Sequence, residues 1–222
     1  LRRKSNTFFY NSVQKYNFYS ICWLGRFFHY FAALYWLKDN ATFAGISVNK
    51  MVNELAVKIE KNRKEYHRFL NDDSYTDVRF NPKNGALSAI HKEHNFDPTI
   101  GRFGIPRGDY EKITLDILYD YGRNTVLGSE QTPRGIQVAD GVLDGYKFEI
   151  KGIEGIGKNN IINNLKDANR KGAEVVILYY HDKSLFSEIQ IQESYRVYLR
   201  NSNSKRIGHL YYIVDRKLYA IK

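Results

Sequence analysis

The stretch Ala139-Asp140-Gly141-Val142-Leu143-Asp144-Gly145-Tyr146-Lys147-Phe148-Glu149-Ile150-Lys151 reads as two short strands joined by an Asp-Gly turn. Asp-Gly between apolar and aromatic runs is a strong two-residue hairpin signal, because a type I′ turn needs positive φ at both central positions. With Asp144 and Gly145 there, Leu143 faces Tyr146, Val142 faces Lys147, Gly141 faces Phe148 and Asp140 faces Glu149. Opposed residues project from one face with Cβ atoms about 4.5–5.5 Å apart, and the period of two adds Lys147 and Lys151 to the face of Glu149.

Two carboxylates about 5 Å apart repel by roughly 3 kcal/mol at an effective dielectric of 20. Ile136, Val138 and Val142 are the expected neighbours on that face, which disfavours full solvation and favours a shared divalent cation. Mg²⁺ takes oxygen ligands and keeps several waters, which suits two carboxylates plus a substrate phosphate. Mn²⁺ is an equal candidate and Zn²⁺ a further one. The structural alternative is that Lys147, Glu149 and Lys151 are the polar side of a half-exposed strand.

Around the hairpin the order of elements is legible. Residues 109–122 read as a helix with Tyr110, Ile113, Ile117, Leu118 and Tyr121 at helical spacing, Asp109 as N-cap and Gly122 as the C′ residue. Glu111 falls at the border of that stripe. A strand at 124–128 and a loop holding Glu130 and Pro133 come next. After the hairpin, Gly152, Gly155 and Gly157 mark a loop. A second helix then runs from Asn159 or Asn160 to Lys171 on a stripe of Ile161, Ile162, Leu165 and Ala168. Residues 173–180 are a nearly continuous β-branched and aromatic run, as for a strand covered on both faces. Strand, helix and buried strand imply a parallel crossover.

This αβββαβ order, with Asp140, Glu149 and Lys151 at its central hairpin, resembles the PD-(D/E)xK nuclease superfamily. Residues 110–181 look like the nuclease domains at the C-termini of bacterial polymorphic and contact-dependent growth-inhibition toxins. Ala139 stands where that pattern usually has Pro. The resemblance implies a metal-dependent nuclease acting on DNA or RNA, tRNA among the candidate substrates, with Asp140 and Glu149 as metal ligands. Lys151 would position the attacking water or stabilise charge. An additional acidic ligand matches Glu111, with Glu130 as its competitor. The resemblance also implies an effector delivered into the cytoplasm of a target bacterium and a cognate immunity protein as partner. A non-catalytic nucleic-acid-binding module with a degenerate nuclease fold is the alternative, and a cytoplasmic location goes with it.

Composition agrees with a polyanionic partner. Lys and Arg number 34 against 24 acidic residues, a formal charge of +10, and 15% of the 222 residues are aromatic. Lys147, Lys158 and Arg170 are the candidate nucleic-acid contacts. The loop Gly155-Ile156-Gly157-Lys158 precedes a helix N-terminus and reads either as a phosphate cradle or as a plain connector. It lacks the Walker pattern. The lone Cys22 excludes an internal disulfide framework and a cysteine-zinc cluster.

The fold expected is α/β with a mixed sheet: an N-terminal region over 1–85 and a nuclease-like domain over 86–222, ending in a helix at 187–200 and a hairpin at 207–221. Residues 1–38 contain no Asp or Glu, six Lys or Arg and both tryptophans. Residues 18–37 approach the length of a membrane span, but Arg26 and His29 interrupt them, which favours a buried or interfacial helix. The chain opens on Leu1 rather than Met, as expected of a fragment or processed product. Residues 48–70 read as an amphipathic helix and 81–86 as a turn-rich candidate boundary. His91 and His94 have a spacing that can bind metal on a helix, or belong to a polar segment docking on the domain. His181, ending the last core strand, either faces the site or is a structural histidine.

Overall fold

The computed structural model describes residues 48–131, 133, 136–157, 159–201 and 207–221. The aromatic stretch at 18–37 lies outside the described residues. The chain divides into two units, Leu1–Ala56 and Val57–Lys222. Of the first, the described part is the opening of helix α1 (Val48–Leu70). Among the described residues no helix is long and apolar enough to cross a membrane.

The second unit carries one eight-stranded mixed sheet whose spatial order follows the chain. Its elements are β1 (Tyr75–Phe80), β2 (Leu87–His91), α2 (Gly108–Asp120), β3 (Thr125–Leu127), β4 (Gly141–Leu143), β5 (Tyr146–Gly152), α3 (Asn160–Arg170), β6 (Val175–Tyr179), α4 (Glu188–Asn201), β7 (His209–Val214) and β8 (Lys217–Ala220). The pairs β2–β3, β5–β6 and β6–β7 are parallel, each bridged by one α-helix, the last preceded by a 3-10 turn at Lys183–Leu185, and the others are antiparallel. The turn at 81–86 joins β1 to β2 within this unit.

The central hairpin has the register that its Asp-Gly turn dictates: Leu143 pairs with Tyr146, Val142 with Lys147 and Gly141 with Phe148. Asp144 and Gly145 sit at φ of 48° and 96°, both positive as the tight turn requires. Gly141 is required for a different reason. A Cβ there would lie 2.0 Å from the Val126 carbonyl oxygen and 2.9 Å from Leu127 Cα, so backbone would have to move. Gly141→Ala is therefore expected to destabilise the protein at the upper end of about 1–3 kcal/mol. The effect should show as a lower denaturant midpoint, and an unchanged midpoint would contradict this packing.

Two cores follow from the alternation of β6, all five of whose residues are buried. Val175, Ile177 and Tyr179 join Phe148, Ile150, Leu143 and the α2 residues Tyr110 and Leu118 on one side. Val176 and Leu178 join Ile161 and Leu165 of α3 and Ile191 and Tyr198 of α4 on the other. Phe148 pairs with Val175 and Glu149 with Val176, so the parity passes to β5 and points Glu149 and Lys151 toward the α3 side.

Local departures have local causes. Helix α2 starts at Gly108 with Arg107 as N-cap, and Asp109 lies inside the first turn, where its carboxylate pairs with Lys112 at 2.9 Å. Tyr121 follows the helix as its exposed C-cap, and Thr114 and Leu115 complete the buried stripe in its place. β1 is a sheet edge broken by a register shift between Thr76 and Arg79, with Asp77 at positive φ. Within the second unit, Asn62 of α1 donates from its Nδ2 to the Gly85 carbonyl at 2.6 Å and to Asn124 Oδ1 at 2.8 Å.

Candidate active site

The ladder of the hairpin ends one residue before the acidic pair. Asp140 leaves β4, and its Oδ2 accepts the Ile150 backbone N–H at 2.7 Å, taking the place a strand carbonyl would occupy. That bond holds the Asp140 carboxylate against β5, on the side to which Glu149 projects. Asp140 is 6% and Glu149 1% exposed. Their burial does not come from Ile136 and Val142, the neighbours expected from the sequence, which are 55% and 41% exposed. The groups that meet the two carboxylates are Lys171 at the end of α3, Lys151 and the Ile150 backbone N–H.

Helix α3 brings a polar stripe beside its apolar one: Asn160, Asn164, Asp167 and Lys171 recur at spacings of four, three and four, one line along a helix. Asn160, Asn164 and Lys171 line the cleft, and Asp167 binds Lys151 Nζ at 2.6 Å. Lys151 Nζ also binds Glu149 Oε1 at 2.8 Å. Lys171 Nζ binds the same Glu149 Oε1 and stands 3.9 Å from Asp140 Oδ1. Two ammonium groups thus share one oxygen of Glu149. Its other oxygen, Oε2, is buried and has no hydrogen-bond partner among the described residues.

On the α2 side, His94 is the organising residue. Its imidazole is fully buried, with Nε2 2.9 Å from Glu111 Oε2, Nδ1 3.1 Å from the Gly128 carbonyl oxygen and Nδ1 3.5 Å from Glu130 Oε1. Glu111 and Glu130, the two candidates for an additional acidic ligand, therefore converge on one histidine. Both line the same cleft as Asp140 and Glu149. Among the described residues, however, no three His, Cys, Asp or Glu side chains are close enough together to hold an ion.

The electrostatics reflect this crowding. Burial, then the charges of Glu149 and Glu111, hold the Asp140 carboxyl well above the usual carboxylate range, against the Ile150 N–H and Lys171. Burial also raises Glu130, with Glu111 and Glu149 adding to it and His94 and Lys171 opposing. Burial works against the charged form of Lys171, yet the Glu149, Asp140 and Asp167 carboxylates outweigh it and raise this lysine. His94 follows the same pattern: desolvation pulls it down, and Glu111, Glu130 and the Gly128 carbonyl raise it above the ordinary imidazole value. Asp167 is desolvated too, but hydrogen bonds from Lys151 and Arg170 hold it below the ordinary range.

The cleft measures about 630 Å³. Its far wall is a clamp on Glu154, which accepts from the Arg107 guanidinium at 2.8 Å, the Tyr110 hydroxyl at 3.1 Å and the Arg102 backbone N–H at 3.2 Å. Burial and that carboxylate push the Tyr110 hydroxyl up to about 12.

Of the residues singled out from the sequence, Asp140, Glu149, Lys151, Glu111 and Glu130 line this cleft. The others stand apart. Lys147 is exposed opposite Val142, Arg170 points outward at 69% side-chain exposure while bound to Asp167, and His181 is exposed with its ring 5.2 Å from that of Phe103. Lys158 lies outside the described residues. His91 and His94 have separate surroundings, His91 ending β2 with its Nδ1 3.8 Å from Glu93. Sequence reasoning missed two site residues, Lys171 and Asp167, and named His94 only as half of a metal-binding pair with His91 or as part of a docking segment, without its partners. The α3 polar stripe was a signal for the first two. The partners of His94 lie 17 to 36 residues away, beyond any local pattern.

Fold and site together define a mixed α/β protein whose buried acid pair and lysines meet in a cleft at the ends of β4 and β5. No family model and no curated protein matches the chain. A solved structure to which it is similar, a CdiA-CT/CdiI toxin and immunity complex from Burkholderia pseudomallei, shares 15% identity at a TM-score of 0.38, over 52% of this chain and 83% of that one.

Proposed function

We propose that this chain is a divalent-metal-dependent nuclease of PD-(D/E)xK type, with Asp140, Glu149 and Lys151 at its centre. The observation that carries the reading is Glu149 Oε2: a carboxylate oxygen buried without a donor among the described residues, beside a second buried carboxylate, in an open cleft. Leaving such an atom unsatisfied costs free energy that an entering cation recovers.

The donor set suits a hard ion. Asp140 Oδ1 and Glu149 Oε2 are the oxygens available for it, and a two-carboxylate set fits Mg²⁺ or Mn²⁺, which keep several waters, better than a closed zinc site. Glu111, held by His94 and lining the same cleft, would be the additional acidic residue of that set. When bound, the ion offsets charge on the phosphoryl oxygens and makes a coordinated water more acidic. Lys151, fixed between Glu149 and Asp167 with 15% of its side chain exposed, presents a positive charge to the phosphodiester. The +10 net charge supports a nucleic-acid substrate.

The toxin role, delivery into a target bacterium and a cognate immunity protein are proposals that rest on the sequence resemblance. A second reading, a nucleic-acid-binding module without turnover, is favoured by one observation: Lys151 and Lys171 already neutralise Glu149 Oε1. Digestion of plasmid DNA and total RNA separates the two. The expected result is cleavage supported by Mg²⁺ or Mn²⁺ and abolished by EDTA. Cleavage undiminished in EDTA overturns the metal-dependent reading, and salt-sensitive binding without cleavage supports the second one.

A further inference from the structure

We propose that Lys171 is a built-in counter-cation of the acid pair and sets the affinity of this site for divalent ions. The inference rests on the metal-dependent reading and concerns its regulation. Among the described residues, the Lys171 ammonium lies within 4.0 Å of both Asp140 and Glu149. A cation that joins two buried carboxylates occupies the electrostatic position a bound metal takes.

Lys151 is not equivalent. Its second partner is Asp167, which belongs to α3 and is no candidate ligand, so Lys151 keeps an ion pair whatever happens at Asp140. Lys171 divides its charge between the two prospective ligands themselves. A dication arriving at Asp140 Oδ1 and Glu149 Oε2 competes with Lys171 for the first oxygen directly, and for the second carboxylate by drawing charge from the Oε1 that Lys171 holds.

The position of Lys171 permits withdrawal. It is the C-cap of α3, followed by Gly172, and 24% of its side chain is already exposed at the cleft. Leaving the carboxylates moves the ammonium toward solvent and needs no break in the buried stripe of Ile161, Leu165 and Ala168. The metal-free site is therefore held neutralised and folded by a lysine, and that stabilisation is subtracted from the free energy of metal entry. By mass action, any interaction made only in the metal-free state weakens the apparent affinity.

The test is a calorimetric titration of Mn²⁺ into the full chain, Lys171→Gln and Lys171→Arg at constant pH, with thermal melts showing each protein folded. Lys171→Gln is expected to bind Mn²⁺ about tenfold more tightly than the parent, equivalent to ~1.4 kcal/mol. Lys171→Arg, which retains the charge, should stay within about twofold of the parent. Adding Glu149→Gln to Lys171→Gln should remove the gain. Equal or weaker binding by Lys171→Gln, or a gain that survives Glu149→Gln, overturns the inference. Two failures are told apart: no Mn²⁺ binding by any of the proteins removes the metal-dependent reading as well, whereas parental affinity in Lys171→Gln removes the role of Lys171 alone.

Discussion

Glu149→Gln is expected to lower metal-dependent cleavage by about three orders of magnitude, the equivalent of ~4 kcal/mol of transition-state stabilisation. The substitution keeps the shape of a side chain that is 1% exposed and removes its charge. Two consequences follow at the site. The oxygen that lacks a donor loses its ability to hold a cation, and Lys151 and Lys171 lose a shared anion. Lys151 retains Asp167 and Lys171 retains Asp140, so the fold should survive, and a thermal melt alongside the kinetics reports on that. Activity within about tenfold of the parent would mean that this carboxylate is structural.

His94→Gln carries the second large effect, on stability and with a defined pH dependence. The parent imidazole is enclosed by Glu111 and Glu130, whose side chains are 19% and 36% exposed. Breaking a fully buried pair costs about 3–5 kcal/mol, and the partial exposure of these carboxylates reduces the expected loss to about 2 kcal/mol. The folded protein holds the imidazolium proton to a higher pH than the unfolded chain does, because the two glutamates and the Gly128 carbonyl outweigh desolvation. That share of the stability is complete below the unfolded imidazole's pKa, and it is lost as pH rises through the raised folded value. The gap between parent and variant should therefore be widest below the ordinary imidazole value, near roughly pH 6, and should narrow as the pH rises through the raised folded value. Urea denaturation at several pH values measures it. A gap that is constant, or that widens on the alkaline side, would show that the imidazole acts only by packing.

Parts of this architecture were legible because few alternatives compete. The Asp-Gly turn fixes the hairpin register, and the period of two then places Glu149 and Lys151 on one face without further information. The run ending at Tyr180 could only be a strand buried on both sides, as β6 is. Helix α1 spans the residues its amphipathic pattern marks, 48–70. β1 and β2 were not legible. Tyr-Thr-Asp-Val-Arg-Phe is a half-exposed edge with a bulge, and its polar residues, Thr76, Asp77 and Arg79, resemble a loop. Leu-Ser-Ala-Ile-His is short, and its buried Ser88 interrupts the apolar pattern.

The site divides in the same way. Asp140 was found, but through a ladder pairing with Glu149 that the structure replaces by a side-chain bond to the Ile150 N–H. The result is similar proximity by a different route. Lys171 was read as the residue that closes a helix, and its second role depends on α3 lying across β5, a tertiary fact. The approach of His94 to Glu111 depends on the loop between β2 and α2 folding back over the end of β3, which no local periodicity encodes.

The most direct test of the central claim is anomalous diffraction from crystals equilibrated with Mn²⁺ at a concentration that supports cleavage. The expected result is a peak within coordination distance, about 2.0–2.3 Å, of both Asp140 Oδ1 and Glu149 Oε2. A Mn²⁺ peak elsewhere, or an acid pair still joined by Lys171 alone under those conditions, would contradict it.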